Sequence, residues 1–167
     1  FKAGKDLLSI YANNHPENSL FSNKNLRLGG SSELYEDFNT KFGDLSAIMI
    51  ENLPFWVEIT TTPSRKVSLM SEWESKLKAI ISEVKNEDVG SLTGVPSWMM
   101  VLLQRTLTET GYSNISELWP NLEVFFHGGI SFKPYREQYR KIIGKDINYY
   151  EIYNASEGFF GIQDQSG

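Results

Sequence analysis

Near the end of this chain, Tyr153-Asn154-Ala155-Ser156-Glu157 sets an aromatic ring, a hydroxyl and a carboxylate within five residues. A β-prone run, Ile147 to Tyr153, leads into it, and Gly158-Phe159-Phe160-Gly161 follows. In α/β proteins ligands bind where parallel strands end. There the Tyr153 ring could stack on a flat heterocycle and the Ser156 hydroxyl could donate to a phosphate oxygen. Glu157 could ligate Mg2+, which prefers hard oxygen donors. The plainer reading of the same residues is a buried strand that closes in a polar turn.

Two other strand ends carry residues of interest. The apolar run Leu122 to Phe126 is followed by His127-Gly128-Gly129-Ile130, and Val89 to Thr93 is followed by Gly94-Val95-Pro96-Ser97. Glycines at such ends let a ligand approach the backbone, although Gly128-Gly129 alone reads equally as a tight turn. Beside the Gly94-Val95-Pro96 turn, Trp98 reads as a core tryptophan at the start of a helix. A hydrolase reading starts from Asn154-Ala155-Ser156-Glu157-Gly158, which imitates the G-x-S-x-G elbow, with Ser156 as nucleophile and His127-Gly128-Gly129 imitating an oxyanion loop. That chemistry needs a histidine after the serine, and both histidines, His15 and His127, precede it. Asn154 also replaces the first glycine of the elbow. No HExxH, GxxxxGK[ST] or GxGxxG pattern occurs.

The elements that must position these residues follow from periodicity. Leu7, Leu8 and Tyr11 fit a short helix over Lys5 to Ala12, ended by His15-Pro16. Leu26 to Leu28 reads as a short strand, and Ser31 to Gly43 as a polar loop. Leu45 to Ile50 is ambiguous between strand and helix, and Asn52-Leu53-Pro54 breaks it. After Pro63-Ser64, the apolar steps Val67, Met70, Trp73, Leu77, Ile80, Ile81 and Val84 predict one helix. Its solvent side would hold Glu72, Glu74, Lys76, Lys78 and Glu83. Pro96 suits the first turn of a helix over Ser97 to Thr110, apolar nearly all round and closed by Gly111. Ser116 is a candidate cap before Trp119-Pro120. Lys133 to Ile143 predicts a last helix, ended by Gly144. From Val89 onward the order is β-α-β-α-β, which implies a parallel sheet with right-handed crossovers.

Composition narrows the class. A chain of 167 residues fits one domain with a sizeable core. A net charge of −5 and the absence of any long Lys/Arg cluster argue against a nucleic-acid partner. With no cysteine there is no disulfide, thiolate catalysis or thiolate-held metal. No apolar run approaches the ~18 residues of a membrane span. These features accord with a cytoplasmic protein.

Four segments together resemble the auxin-responsive acyl acid amido synthetases, a family within the adenylate-forming enzymes. YNASEGFFGIQ is similar to the family's YxxSE motif, which the wider superfamily writes YGxTE. LWPNLEVFFHGGISFKPYREQYR, Leu118 to Arg140, resembles its strand, Gly-Gly loop and following helix. SLTGVPSWM, Ser91 to Met99, and GDLSAIMIENLPFW, Gly43 to Trp56, look like further family segments. The resemblance implies an α/β fold: a mostly parallel sheet flanked by helices, part of an adenylate-forming N-terminal domain. It implies ATP and Mg2+ as cofactors, and a carboxylic acid and an amino acid as substrates. By resemblance, Gly128, Gly129, Ile130, Tyr153, Asn154 and Ala155 form the adenine pocket, Ser156 lies near the α-phosphate and Glu157 binds the metal. Val95, Pro96, Ser97 and Phe160 would lie beside the acyl substrate.

The family's phosphate-binding loop, expected just before a segment like GKDLLSIY (Gly4 to Tyr11), is not found here. Its YRxGD-type motif and C-terminal lysine domain are not found either. The chain is thus expected to be an internal piece of a longer enzyme, inactive alone. Strands Leu122 to Phe126 and Ile147 to Tyr153 would then offer unpaired edges and apolar faces for self-association. Exchange of the segment Phe1 to Leu28 is one route.

Overall fold

The computed structural model describes residues 2–29, 34–38, 40–155 and 157–165. In chain order the elements are α1 (Lys2–Asn14), β1 (Lys24–Leu28), β2 (Leu34–Asp37), β3 (Thr40–Gly43), α2 (Leu45–Glu51), α3 (Phe55–Thr60), β4 (Thr61–Thr62), α4 (Arg65–Ser68), α5 (Trp73–Val84), β5 (Val89–Gly94), α6 (Pro96–Thr110), α7 (Ile115–Leu118), β6 (Val124–Gly128), α8 (Arg136–Ile143), β7 (Asn148–Ala155) and β8 (Gly158–Ile162). Six strands form one sheet in the order β4-β1-β5-β6-β7-β8. Every pair is parallel except β7 with β8. The expected mostly parallel α/β sheet is present, with β5, β6 and β7 as neighbours.

Alternation along the strands divides the apolar side chains between two layers. Leu26, Leu28, Leu92 and Phe125 pack with α5, α6 and α8 in the larger core. Val124, Phe126 and Tyr150 point the other way, against Leu7 and Tyr11 of α1. β6 is buried along its whole length, as a strand covered on both faces should be. Trp119 is fully buried, and its indole N–H donates to the Val84 carbonyl at 3.2 Å.

Several local expectations are corrected. The helix expected as one piece after Pro63-Ser64 is split into α4 and α5. The Glu72 carboxylate accepts from the N–H groups of Glu74 and Ser75 and so starts a new helix there. Lys76, expected in solvent, is only 4% exposed, because its long stem runs with the buried stripe. α6 is not buried all round. Its outer side leaves Trp98 and Val101 exposed, since only one side meets the sheet. Ser31 to Gly43 is not simply a loop: β2 and β3 pair as an antiparallel hairpin with Tyr35 stacked on Phe42, while residues 31–33 lie outside the described set. α3 had no periodic signal, being only six residues long. Asn114, not Ser116, caps α7. The last helix begins at Arg136 rather than Lys133. β6 lies inside the sheet and β7 pairs with β8, so neither is an edge strand. The edges are β4 and β8.

One buried contact joins two crossovers. Tyr139 on α8 donates its hydroxyl hydrogen to the Pro96 carbonyl at 2.7 Å, with the whole residue buried. Burial pushes its phenol pKa upward. Tyr139→Phe removes the donor and strands that carbonyl, so stability should fall by about 1–2 kcal/mol. Urea unfolding measures this, and an unchanged midpoint would show the bond contributes nothing.

Candidate functional site

The parallel ladder brings the ends of β5, β6 and β7 side by side. Gly94, His127 and Glu151 stand opposite one another, with Gly128 opposite Ile152 one residue on. A Cβ on Gly128 would lie 2.3 Å from the Ile152 carbonyl oxygen, so only glycine lets these strands stay paired. Gly129 has φ +84°, a left-handed backbone that glycine adopts readily. A Cβ there would sit 3.3 Å from Val95 Cγ2, which places the β6 loop against the β5–α6 turn. In that turn Val95 is the helix cap, Pro96 holds the first helical position and is buried, and Ser97 is half-buried. The loops expected to share one sheet end therefore do so.

β7 continues past Tyr153 through Asn154 and Ala155, and turns back tightly into β8. Of the expected turn at 154–157, Asn154 and Ala155 are instead strand, because the antiparallel partner supplies the backbone bonds. The ladder is irregular between Tyr153 and Asn154. Tyr153 is 63% exposed and its ring lies 5.2 Å from that of Phe160, tilted 34°. Phe160 thus joins Tyr153, while Trp98 neighbours Trp73 at 6.4 Å. Ile130 is also exposed. Glu157 is exposed in the turn, and Ser156 lies outside the described residues.

The set can be tested for fit. Two glycines, one left-handed, and an exposed pair of aromatic rings at the next strand end suit a planar base. Glu157 is a single carboxylate, and no cluster of three metal-ligating side chains occurs among the described residues. That suits Mg2+ arriving with nucleotide phosphates, where the protein adds one or two carboxylates. It does not suit a metal held by protein alone. The hydrolase reading gains nothing: His15 sits beside Tyr11 and Tyr150, with Nε2 3.2 Å from the Tyr150 hydroxyl, near the opposite strand ends.

His127, expected in the loop after the apolar run, lies within β6 and is 3% exposed. Its ring stacks on Phe132 at 4.2 Å and 23°. Its Nδ1 is buried without a hydrogen-bond partner. The available signal was a histidine closing an otherwise apolar strand. Desolvation, helped by the Arg136 charge, lowers its pKa from 6.5 to about 4. Between those values the unfolded chain binds the extra proton and the folded one does not. Stability should therefore be complete above pH 6.5 and decline as pH falls toward 4. Denaturant titrations at stepped pH check this: His127→Phe should flatten the slope in that window, and an unaltered slope would mean that other groups set it.

These features define a class: an α/β protein with a candidate nucleotide site at the carboxyl ends of neighbouring parallel strands. Residues 1–147 match the sequence model of the GH3 family N-terminal domain. The chain belongs to that family, the auxin-responsive acyl acid amido synthetases, which are adenylate-forming enzymes. The matched stretch ends before Tyr153-Asn154-Ala155-Ser156-Glu157. Among solved structures the chain is similar to the Vibrio cholerae adenylation domain AlmE, in complex with glycyl-adenosine-5'-phosphate. Identity is 11% and the TM-score 0.41, over 89% of this chain and 23% of that one. No curated protein matches it significantly.

Proposed function

We propose that this chain supplies the base- and magnesium-binding part of the adenylate pocket of an ATP-dependent acyl acid amido synthetase. The observation that carries the reading is the meeting of Gly128-Gly129 with the Tyr153–Phe160 pair at adjacent strand ends, in a chain of this family. In the first half-reaction a carboxylate oxygen attacks the α-phosphorus of ATP and pyrophosphate leaves. In the second, the amine of an amino acid attacks the acyl carbon, AMP leaves and an amide forms. Gly128, Gly129 and Ile130 line the base, Tyr153 packs on it, and the backbone of Asn154 and Ala155 carries the chain past it. By the family resemblance Ser156 would serve the α-phosphate, and Glu157 would hold Mg2+, which would supply positive charge against the phosphates. Val95, Pro96, Ser97 and Phe160 flank the acyl group. A cytoplasmic location, where ATP and amino acids are supplied, goes with this reading. No described helix is long and apolar enough to cross a membrane.

The test is acid-dependent exchange of labelled pyrophosphate into ATP. The full-length protein should catalyse it with some carboxylic acid, and the 167-residue polypeptide should not. Failure of the full-length protein across a broad acid panel would overturn the reading.

A second reading concerns the 167-residue polypeptide by itself, as a self-associating module. Phe38, Phe42, Phe55, Trp56 and Ile59 are exposed, and large apolar side chains left in solvent favour pairing with another copy. Sedimentation at micromolar concentration should find a dimer or larger species. A clean monomer would dismiss it.

A further inference from the structure

A cavity of about 180 Å3 opens beside β1 and β4 at one edge of the sheet, with Arg27, Ile50, Leu53, Glu58, Pro63 and Arg65 in its wall. Alternation puts Arg27 on the opposite face of β1 from the core residues Leu26 and Leu28. Arg27 is half-buried, yet among the described residues it has no hydrogen bond or ion pair. Other cations withdrawn to a similar degree do have one. Lys24 and Lys145 donate to the carbonyls of Ile59 and Pro120, and Arg105 pairs with Glu74. A charge taken out of water is normally paired. Burial lowers the pKa of Arg27 from its ordinary value with no carboxylate to counter it, and the guanidinium still stays charged. The other polar groups of the wall are engaged. One Glu58 oxygen lies 2.6 Å from Arg65 Nε and 2.5 Å from its Nη2. Ser64 gives its hydroxyl and its N–H to Glu83, both at 2.7 Å. Two arginines thus line the cavity against one carboxylate, a net charge of +1, and the unbalanced charge is that of Arg27. Water can solvate a guanidinium in such a space, but it does not balance the charge.

We infer that this cavity binds a small monocarboxylate, its oxygens paired with the Arg27 guanidinium and its short hydrocarbon tail against Ile50, Leu53 and Pro63. The guanidinium fork matches a carboxylate in geometry, with two parallel N–H donors for two oxygens. A net charge of +1 suits one negative charge. A phosphate dianion would bring a second, beside the Glu58 carboxylate. The three apolar side chains offer nothing to a bare inorganic ion and a covering surface to a hydrocarbon tail. The volume holds several water molecules or one such acid. β5 separates β1 from β6 in the sheet, so this site is not the one at Gly128-Gly129, and it does not depend on the adenylation reading.

The experiment is calorimetric titration of the full-length protein, without ATP or Mg2+ and at constant ionic strength. The probes are acetate, propionate and butyrate, with inorganic phosphate and chloride beside them. The carboxylates should give saturable binding that tightens by about two- to fourfold for each added methylene. Phosphate should bind about tenfold more weakly than butyrate, and chloride should give no saturable response. Arg27→Gln should weaken butyrate binding by about tenfold or more. Arg27→Lys, which keeps the charge and loses the fork, should fall between the two. Melting curves of each variant without ligand confirm folding. If Arg27→Gln does not fold, Leu53→Asp, which adds a carboxylate to the wall, should produce the same loss. No saturable binding of any carboxylate would overturn the inference. Phosphate binding tighter than butyrate would overturn the substrate class assigned to the cavity. Carboxylate binding that Arg27→Gln preserves and Ser97→Trp abolishes would place the ligand at the β5–α6 turn and overturn the inference too. Each of these outcomes leaves the pyrophosphate-exchange test untouched.

Discussion

Glu157→Ala in the full-length enzyme should lower acid-dependent pyrophosphate exchange at least a hundredfold, with Glu157→Gln nearly as low. A hundredfold loss corresponds to about 2.7 kcal/mol of transition-state stabilisation, within what a charged metal ligand supplies near a reacting phosphate. The carboxylate is exposed in the tight turn between β7 and β8. Its removal should therefore leave the melting temperature nearly unchanged, as for most surface substitutions. The Gln variant separates charge from shape, because it keeps the size and loses the anionic oxygen. The loss should be largest at low Mg2+ and lessen as Mg2+ is raised. Near-normal turnover of either variant at low Mg2+ would return Glu157 to the role of a turn residue.

Gly128→Ala is the substitution with the largest expected effect on stability. The added methyl would sit 2.3 Å from the Ile152 carbonyl oxygen, a backbone atom held in the β6–β7 ladder. A flexible side chain could move aside, but here a central strand must shift. The cost should be about 3 kcal/mol, which for a domain of this size lowers the melting temperature by roughly 6–12 °C. Nucleotide binding should weaken as well, since the same displacement moves Tyr153, the next residue of β7. Gly129→Ala makes a useful comparison. Its strain comes from a left-handed φ of +84° and a 3.3 Å contact with the Val95 side chain, which can yield. It should cost about 1–2 kcal/mol. If differential scanning shows the two variants equally stable, the close approach of β6 and β7 is not a constraint on this protein.

Long-range order was legible wherever the signal was local and repeated. The run Leu122 to Phe126 announced a strand covered on both faces, and Gly111 and Gly144 announced helix ends that do adopt left-handed φ values. The β-α-β-α-β order after Val89 required parallel neighbours, and that adjacency alone brings Gly128-Gly129 beside Tyr153. The residue types of the candidate site were also legible, because Tyr, Ser and Glu at a strand end have few chemical uses in common.

Other features were settled by contacts that no short window contains. α4 closes at Leu69 and Glu72 starts α5 through two backbone bonds, against a periodicity that ran straight through both. In the β2–β3 hairpin Tyr35 pairs with Phe42 and the two rings stack, a pairing that a polar composition hides. β7 keeps its strand form through Ala155 only because β8 returns alongside. His127 shows the division most clearly. The sequence by itself determined that an imidazole stands just before two glycines. Its burial, its stack on Phe132 and its unpartnered nitrogen come from side chains brought together by the sheet and the segment after β6, so only the tertiary structure decided them. Desolvation depends on everything that surrounds a group, and a chain read residue by residue carries no record of it.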